Sequence, residues 1–292
     1  TWGEMVKKHA GLRLPPLTDE PGERRTIDPD EPFVQILDPA TGTATFLVEV
    51  IDVIHRTLAA KWKQQRLTDA QQRAAWNDYV PQHLLPRLHA FELMMAPYAI
   101  AYMKIGLKLA ETGYRFGTEE RARIYLTNAL EPWVKQLPLI GFDALAHEAA
   151  AVNEIKRHKR FTVVIGNPPY AAFSCNPSVD ENGKLTVIGS LIEDYKFIAG
   201  QPVEEKKWWL QDDYVKFIRL TEWIITHAGI GIAGLITNHS YLDNPTFRGM
   251  RWHILQSFNR LFVLNLHGNA KTAGKAAEAA QDQNVFDIQQ GV

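Results

Sequence analysis

The sequence contains a single cysteine, Cys175, among 292 residues. One cysteine can form neither an internal disulfide framework nor a Cys-x-x-Cys zinc pair, and such usage is typical of proteins from a reducing compartment. We therefore expect a cytoplasmic protein. The ten histidines include no HExxH zinc motif, because His147-Glu148 is not followed by the second histidine, and no metal site is predicted.

The sequence also lacks an excess of charge and a long hydrophobic run. It carries 32 Lys and Arg against 33 Asp and Glu. Because affinity for phosphates grows with the number of cations placed on the backbone, any contact with a polyanion must come from a local patch. The longest apolar stretches, around 91–103 and 228–237, are shorter than the roughly 20 residues of a membrane-spanning helix. With no apparent leader either, we expect no membrane partner.

The composition is globular, with 46% hydrophobic and 22% charged residues. Five prolines among many charges predict a surface lead-in segment over 1–32, with a catalytic core over 33–292. Helix-like stretches separate most of the apolar runs, which predicts an α/β fold with a mostly parallel sheet and helices on both faces. A helical insertion is predicted over about 56–90 and a long loop over 171–207. Seven runs have strand length: 33–37, 89–93, 122–128, 161–166, 231–237, 260–266 and 284–288.

The first turn whose residues suit ligand binding is DPATGTATFL at 38–47, directly after the first predicted strand. Ligands of open α/β sheets bind at the carboxyl ends of strands. Here Asp38 ends the strand, and small residues let the backbone approach a ligand above a helix N-terminus. Short glycine-containing turns also join strands to helices without binding anything, so this turn alone leaves both interpretations open.

The second such turn is Asn167-Pro168-Pro169-Tyr170, directly after the apolar strand VVIG. The two prolines fix φ near −65° and lack N–H groups, so the turn is stiff and its carbonyls are free to accept hydrogen bonds. The side-chain oxygen of Asn167 and the carbonyl of Pro168 can converge on one amino group, beside the flat ring of Tyr170. This arrangement suits methylation of an exocyclic amine, because hydrogen bonds from both of its protons localise the nitrogen lone pair. The target base must first leave the duplex, and stacking on Tyr170 offsets part of that cost.

With these two motifs the chain resembles the amino-methyltransferase core of adenine-specific DNA methyltransferases, in the order in which cofactor binding precedes catalysis. The resemblance covers nearly the whole chain. One subgroup is matched in particular, the single-polypeptide Type I-like (Type ISP) restriction–modification enzymes. The further matching strings are HAFELMMAPYAIAYMKIG (89–106), IYLTNALE (124–131), LQDDYVKFIRLTEWII (210–225), GIAGLITNHSYLDNPTFRGMRWHIL (231–255), VLNLHGN (263–269) and NVFDIQQGV (284–292).

The resemblance implies a Rossmann-like, seven-stranded fold that uses S-adenosyl-L-methionine. The implied reaction is site-specific transfer of a methyl group to adenine N6, with base flipping, in a bacterial restriction–modification system. The implied partners are double-stranded DNA and other regions of a longer polypeptide, namely target-recognition, helicase and nuclease regions. We expect a fragment of such a polypeptide, because the chain starts at Thr1 and stops within a predicted strand.

The resemblance assigns cofactor contacts motif by motif. Glu92 would accept the ribose hydroxyls, and an acidic residue after the second strand commonly holds a ribose. Thr127 and Asn128 occupy the place near the cofactor adenine, against which Phe217 would pack; ordinary core packing is the alternative for Phe217. The residues expected to line the methionine end are Asp38, Ala40, Gly42 and Thr43.

On the DNA side, the resemblance makes Asn167, Pro168, Pro169 and Tyr170 the catalytic turn. Phe286 would be the second ring around the flipped base, with core packing again the alternative. Arg248 and Arg251 are candidate DNA contacts. The basic run KRHKR at 156–160 is interpreted as a solvated face entering the sheet opposite the active site, with phosphate contact as the alternative.

The chain departs from the family pattern in its first motif, where Ala44 replaces the usual glycine. The family's upstream cofactor motif is not visible in 1–32, and we expect no target-recognition domain within this fragment. We therefore expect weak cofactor binding and no sequence choice by this fragment alone. Two other functions stay open: a protein-glutamine methyltransferase, which also grips a planar amide with this turn, and a non-catalytic scaffold that positions DNA.

Overall fold

The computed structural model describes residues 31–117, 120–131, 151–156, 159–170, 174, 176–204 and 208–266. The predicted strand at 284–288, with Phe286, lies outside these residues, as does nearly all of the predicted lead-in segment. The chain forms two compact units. The first runs to Gly166 and includes Ile224–Gly234, and the second comprises Asn167–Trp223 and the chain from Leu235 onward.

The described elements alternate between strand and helix through most of the chain. In order they are β1 (Ile36–Asp38), α1 (Thr45–Gln64), α2 (Asp69–Tyr79), β2 (Leu88–Glu92), α3 (Met95–Glu111), β3 (Arg123–Leu126), β4 (Val163–Gly166), α4 (Val187–Glu193), β5 (Phe197–Ile198), β6 (Gln201–Pro202), α5 (Asp213–Ala228), β7 (Ile232–Leu235) and α6 (Arg248–Ser257).

The first unit is built on a five-stranded sheet in the order β3-β2-β1-β4-β7. Strand β1 runs parallel to both β2 and β4, with Ile36 opposite Leu88 on one side and Val163 on the other. Strand β2 is in turn parallel to β3. All residues of β1 and β2 are buried, as expected for parallel strands covered by helices. The sheet and its flanking helices confirm the predicted Rossmann-like α/β class.

Helices α1 and α3 pack their apolar faces into one core with the sheet. This core includes Leu47 and Ile51 of α1 and Ile105 and Leu109 of α3. Helix α2 begins at a capping box, in which the Thr68 hydroxyl accepts from the backbone N–H of the third helical residue. The segment predicted as a helical insertion, 56–90, begins within the long helix α1, is interrupted at 65–68, continues helical from Asp69 to Arg87 and ends in β2.

The second unit has its own apolar core. Helix α5 contributes Tyr214 and Val215, helix α6 contributes Met250 and Ile254, and Tyr195 lies buried between them. Strands β5 and β6 form a two-stranded antiparallel hairpin. Two left-handed residues, Ala199 at φ 48° and Gly200 at φ 79°, make its tight turn.

Two predictions about secondary structure differ from the structure. The run 260–266 forms no strand within the described part of the chain, and its apolar side chains from 261 to 264 are exposed, Phe262 at 88%. Apolar composition favours a strand, but a strand needs a neighbouring backbone to pair with. The segment 171–207 is not only a loop, because it contains α4 and the β5–β6 hairpin. Elements of seven and two residues are too short to leave a recognisable periodicity.

The sheet contains five of the seven predicted strands. Within the residues described, no helix is long and apolar enough to cross a bilayer. The same residues contain no cluster of three or more His, Cys, Asp or Glu side chains that could hold a metal ion.

Candidate functional site

The order of the strands creates a topological switch point between β1 and β4, where the connections turn to opposite sides of the sheet. Ligands of open α/β sheets bind in the crevice at such a point, outside the carboxyl ends of the strands. Asp38 ends β1 and Gly166 ends β4. A Cβ atom at Gly166 would lie 2.9 Å from Oδ1 of Asp38, so a larger residue here would displace the Asp38 carboxyl group.

Asp38 is a fully buried carboxylate at this switch point. Its Oδ1 accepts a hydrogen bond from the backbone N–H of Ala40 at 3.2 Å. Its Oδ2 and the hydroxyl of Thr41 are buried and have no hydrogen-bond partner among the residues described. Burial raises the pKa of Asp38 to about 7. The Ala40 N–H and the nearby Thr41 hydroxyl oppose the rise, and the charge of Glu92 adds to it. A buried polar atom without a partner is costly, so this edge is suited to a ligand that donates hydrogen bonds.

We expect Asp38→Asn to stabilise the protein at alkaline pH. Because the folded pKa of about 7 lies above the ordinary value of 3.8, the folded state holds a proton that the unfolded state has released. Wild-type stability therefore falls as pH rises between these values, while asparagine does not titrate. The gain of Asp38→Asn should be about 2.5 kcal/mol larger at pH 8 than at pH 5. Denaturant unfolding at both pH values measures this, and an equal difference at both would contradict it.

The turn after β1 leads into α1, and its backbone at Gly42 borders open space. Gly42 has φ +55°, and a Cβ atom on it would meet no atom within 4 Å. The first turn of α1 contains no acidic side chain and its N-cap makes no side-chain hydrogen bond, so its N–H groups remain available to an acceptor. Lys104, on α3, donates to the hydroxyls of Thr43 at 3.3 Å and Thr45 at 3.0 Å. Lys104 lies within the matching string 89–106, but the sequence did not single it out.

Ala44 occupies the position at which the sequence departs from the family's glycine. It has φ 61°, in the left-handed region, so the backbone explains why glycine is usual. Its methyl group is fully buried and belongs to the core formed with α1 and α3. Alanine in place of glycine therefore strains the backbone at this position. Its methyl group fills space in the core and does not face open space.

Ala44→Gly is expected to have small effects. It would relieve about 1 kcal/mol of backbone strain and lose about 0.8 kcal/mol of buried methyl, so the free energy of unfolding should change by less than about 1 kcal/mol. Affinity for S-adenosylmethionine, the cofactor that the sequence resemblance implies, should stay within about twofold by isothermal titration. A gain of tenfold or more would mean that the methyl obstructs the cofactor.

Glu92 joins the turns that follow β1 and β2. It is 8% exposed. Its Oε2 accepts from the backbone N–H of Gly42 and its Oε1 from that of Met94, both at 2.8 Å. Each carboxylate oxygen has a further lone pair, so the group can hold both turns and still accept from a ligand hydroxyl.

The turn after β3 is tied to the same edge of the sheet. The backbone N–H of Thr127 donates to the carbonyl of Glu92 at 2.7 Å. The Asn128 side chain accepts from Leu130 N–H at 3.1 Å and donates to Glu131 at 3.2 Å, so both of its ends are engaged locally. These bonds fix the position of the turn relative to β2.

The basic run at 156–160 is not a uniformly solvated face. Lys156 is partly buried, and its ammonium donates to Thr127 and Asn128 at the carboxyl end of β3. Arg160 is buried. The prediction that the whole run is solvated and opposite the site is therefore wrong for Lys156, because chain folding returns the helical segment 151–156 to this turn.

The Asn167–Tyr170 turn belongs to the second unit. Asn167 and Pro169 are exposed, Pro168 is buried and Tyr170 is partly buried. The Tyr170 hydroxyl donates to Oδ1 of Asn167 at 2.8 Å. Burial raises the pKa of Tyr170 to about 12, so the hydroxyl keeps its proton. The Tyr214 ring packs edge-on against that of Tyr170, with 6.3 Å between centroids, and orients it.

The remaining predicted residues of the second unit have different surroundings. Phe217 is buried on α5. One nitrogen of Arg251 donates to the carbonyls of Tyr241 at 2.7 Å and Asn244 at 2.9 Å, which holds that loop. Arg248, at the start of α6, is exposed and lines a cavity of about 640 Å³ beside the β5–β6 hairpin. Their roles toward cofactor or DNA stay predictions.

The fold and the switch-point residues define a Rossmann-like α/β unit with a candidate ligand site at the ends of β1, β2 and β3. No protein-family model and no curated protein matches the sequence. Solved structures do match. The ATP-dependent Type ISP restriction-modification enzyme LlaBIII bound to DNA aligns with 26% identity and a TM-score of 0.64, over 88% of this chain and 16% of that one.

Two further solved structures are similar. The DrdV–DNA complex aligns with 27% identity and a TM-score of 0.61, over 89% of this chain and 23% of that one. A nuclease-deletion mutant of the Type ISP enzyme LlaGI with a DNA substrate mimic, at 23% identity and a TM-score of 0.58, shares the fold over 82% of this chain and 18% of that one. This chain thus spans about a sixth to a quarter of the length of these proteins.

Proposed function

We propose that this chain is the methyltransferase region of a Type I-like restriction–modification enzyme and transfers a methyl group from S-adenosylmethionine to adenine N6 in DNA. The observation that carries the proposal is the Asn167-Pro168-Pro169-Tyr170 turn directly following β4, the strand at the switch point. Similarity to LlaBIII, a Type ISP restriction-modification enzyme solved on DNA, supports the class of system.

The first unit has the donor and acceptor groups that the proposed cofactor requires. The buried, unpartnered Oδ2 of Asp38 suits an ammonium group, and Thr41 adds a buried hydroxyl. Gly42 leaves open space beside the turn. Glu92 is positioned by two backbone N–H groups with lone pairs left for ribose hydroxyls. S-adenosylmethionine supplies an electrophilic methyl group when bound.

The Asn167 turn would act on the target amine. Oδ1 of Asn167 and the carbonyl of Pro168 would accept the two amino protons and localise the nitrogen lone pair. The Tyr170 ring would stack on the flipped base, which offsets part of the cost of unstacking it. The base needs no prior deprotonation by a side chain, because the amine proton becomes acidic only after the methyl group is transferred.

We also propose that double-stranded DNA and other regions of a longer polypeptide are the partners. The matched solved chains are several times longer than this one, and their names place them on DNA. The formal net charge of −1 fits a region whose DNA affinity comes mainly from elsewhere in such a polypeptide.

The test is to express the full-length protein in a host without other adenine methyltransferases and to map modified adenines in its DNA. We expect N6-methyladenine within a fixed sequence context, together with binding of S-adenosylmethionine by isothermal titration. Cofactor binding without DNA methylation, but with methylated glutamine in a host protein, would replace the proposal by the protein-glutamine methyltransferase. Absence of cofactor binding would leave the non-catalytic scaffold.

A further inference from the structure

Three turns in the first unit are joined into one hydrogen-bonded chain at the carboxyl ends of β1, β2 and β3. The Glu92 carboxylate holds Gly42 in the first turn and Met94 in the second. The Glu92 carbonyl holds Thr127 in the third. The strands are neighbours in the order β3-β2-β1, so a ligand whose ribose lies at Glu92 extends from the β1 turn on one side to the β3 turn on the other.

We propose that Lys156 is a positioning residue for the adenosine end of the cofactor, through the turn after β3. The inference rests on the proposed function for the identity of the ligand. The geometry behind the inference does not depend on the proposed function. Lys156 reaches this turn from the helical segment 151–156, which lies more than twenty residues further along the chain.

The Lys156 ammonium distributes its protons over three acceptors of this turn. It donates to the Thr127 hydroxyl at 2.9 Å, the Asn128 carbonyl at 2.6 Å and the Glu131 carbonyl at 3.3 Å. An ammonium carries three protons and no lone pair, so these contacts use all of its donors. Hydrogen bonds from a charged donor are about twice as strong as neutral ones. The group therefore fixes the curvature of the turn and has no donor left for a phosphate.

The surroundings of Lys156 keep it in place but weaken its hold on the proton. The ammonium lies 5.7 Å from the centroid of the Phe91 ring, whose face attracts a cation. Burial lowers the pKa of Lys156 to about 8, and the carboxylate of Glu131 opposes this shift. Raising the pH through 8 therefore neutralises the group, removes one donor and releases part of the turn.

The test compares Lys156→Met, Lys156→Arg and Lys159→Met in the full-length protein. Lys159→Met is the matched control, because it removes the same charge from the same basic run. We expect Lys156→Met to raise the Kd and KM for S-adenosylmethionine about tenfold, with kcat at saturating cofactor within twofold. Lys159→Met should leave both unchanged. Equal values for the two Met variants, or a loss confined to kcat, would overturn the inference.

A pH series separates positioning from a merely structural role. Between pH 7 and pH 9 the wild-type Kd should rise more steeply than that of Lys156→Arg, because the guanidinium keeps its charge. Parallel profiles would overturn the inference. Thermal unfolding of each variant checks that it folds. If the wild-type protein itself binds no S-adenosylmethionine, the proposed function fails. If the wild-type protein binds it but the two Met variants behave alike, only the inference about Lys156 fails.

Discussion

Asn167→Ala is expected to reduce methyl transfer by about 10²- to 10³-fold, the usual loss when one hydrogen-bonding group directed at the transition state is removed. Affinity for S-adenosylmethionine should stay within about twofold. The Asn167 side chain is exposed, and its described partner is the Tyr170 hydroxyl within the same turn. Its removal therefore leaves no buried group unpaired, and the fold should be retained. Transfer of a labelled methyl group to duplex DNA and isothermal titration of the cofactor measure the two quantities.

Tyr170→Phe is the matched control for this experiment. It keeps the stacking ring and removes only the hydroxyl that donates to Oδ1 of Asn167. One lone pair of that oxygen would then be freed for the target amine, so we expect a change in rate of only a few-fold. If Asn167→Ala weakened cofactor binding as much as methyl transfer, or if Tyr170→Phe were as damaging as Asn167→Ala, the assignment of Asn167 to the target amine would be wrong.

Glu92→Ala is expected to weaken S-adenosylmethionine binding by about 100-fold and to lower the free energy of unfolding by about 2–4 kcal/mol. The carboxylate accepts from the N–H groups of Gly42 and Met94. Alanine leaves both partly buried donors without this partner, and each lost hydrogen bond to the carboxylate costs about 1–2 kcal/mol. It also removes the acceptor proposed for the ribose. Isothermal titration gives the affinity, and denaturant unfolding gives the stability.

Two further variants separate the roles of Glu92. Glu92→Gln keeps the shape and one good acceptor, so it should recover part of the stability while still losing most of the affinity. Glu49→Ala, which removes an exposed carboxylate of α1 paired with Arg56, should change neither quantity. Loss of stability in Glu92→Ala with cofactor affinity intact would restrict Glu92 to holding the two turns together.

The strongest sequence predictions concern segments whose signal is local. The strands at 33–37, 89–93, 122–128, 161–166 and 231–237 are present, because each apolar run finds a parallel neighbour in the sheet. The run at 260–266 has the same apolar character but forms no strand in the described part of the chain, since pairing depends on a partner that the run does not encode. In the same way, the hairpin β5–β6 depends on two residues with left-handed backbone angles, at 199 and 200, and the apolar pattern does not predict this hairpin.

The sequence by itself determined the α/β class, the Asp38 turn and the Asn167–Tyr170 turn, because periodicity and proline or glycine chemistry act over a few neighbouring residues. Only the tertiary structure decided which polar groups at the strand ends hold one another. Glu92 meets Gly42 across 50 residues, and Lys156 meets Asn128 across 28. Burial of Asp38 and Lys156, and the pKa shifts that follow from it, depend on the surrounding packed atoms, which no local pattern specifies.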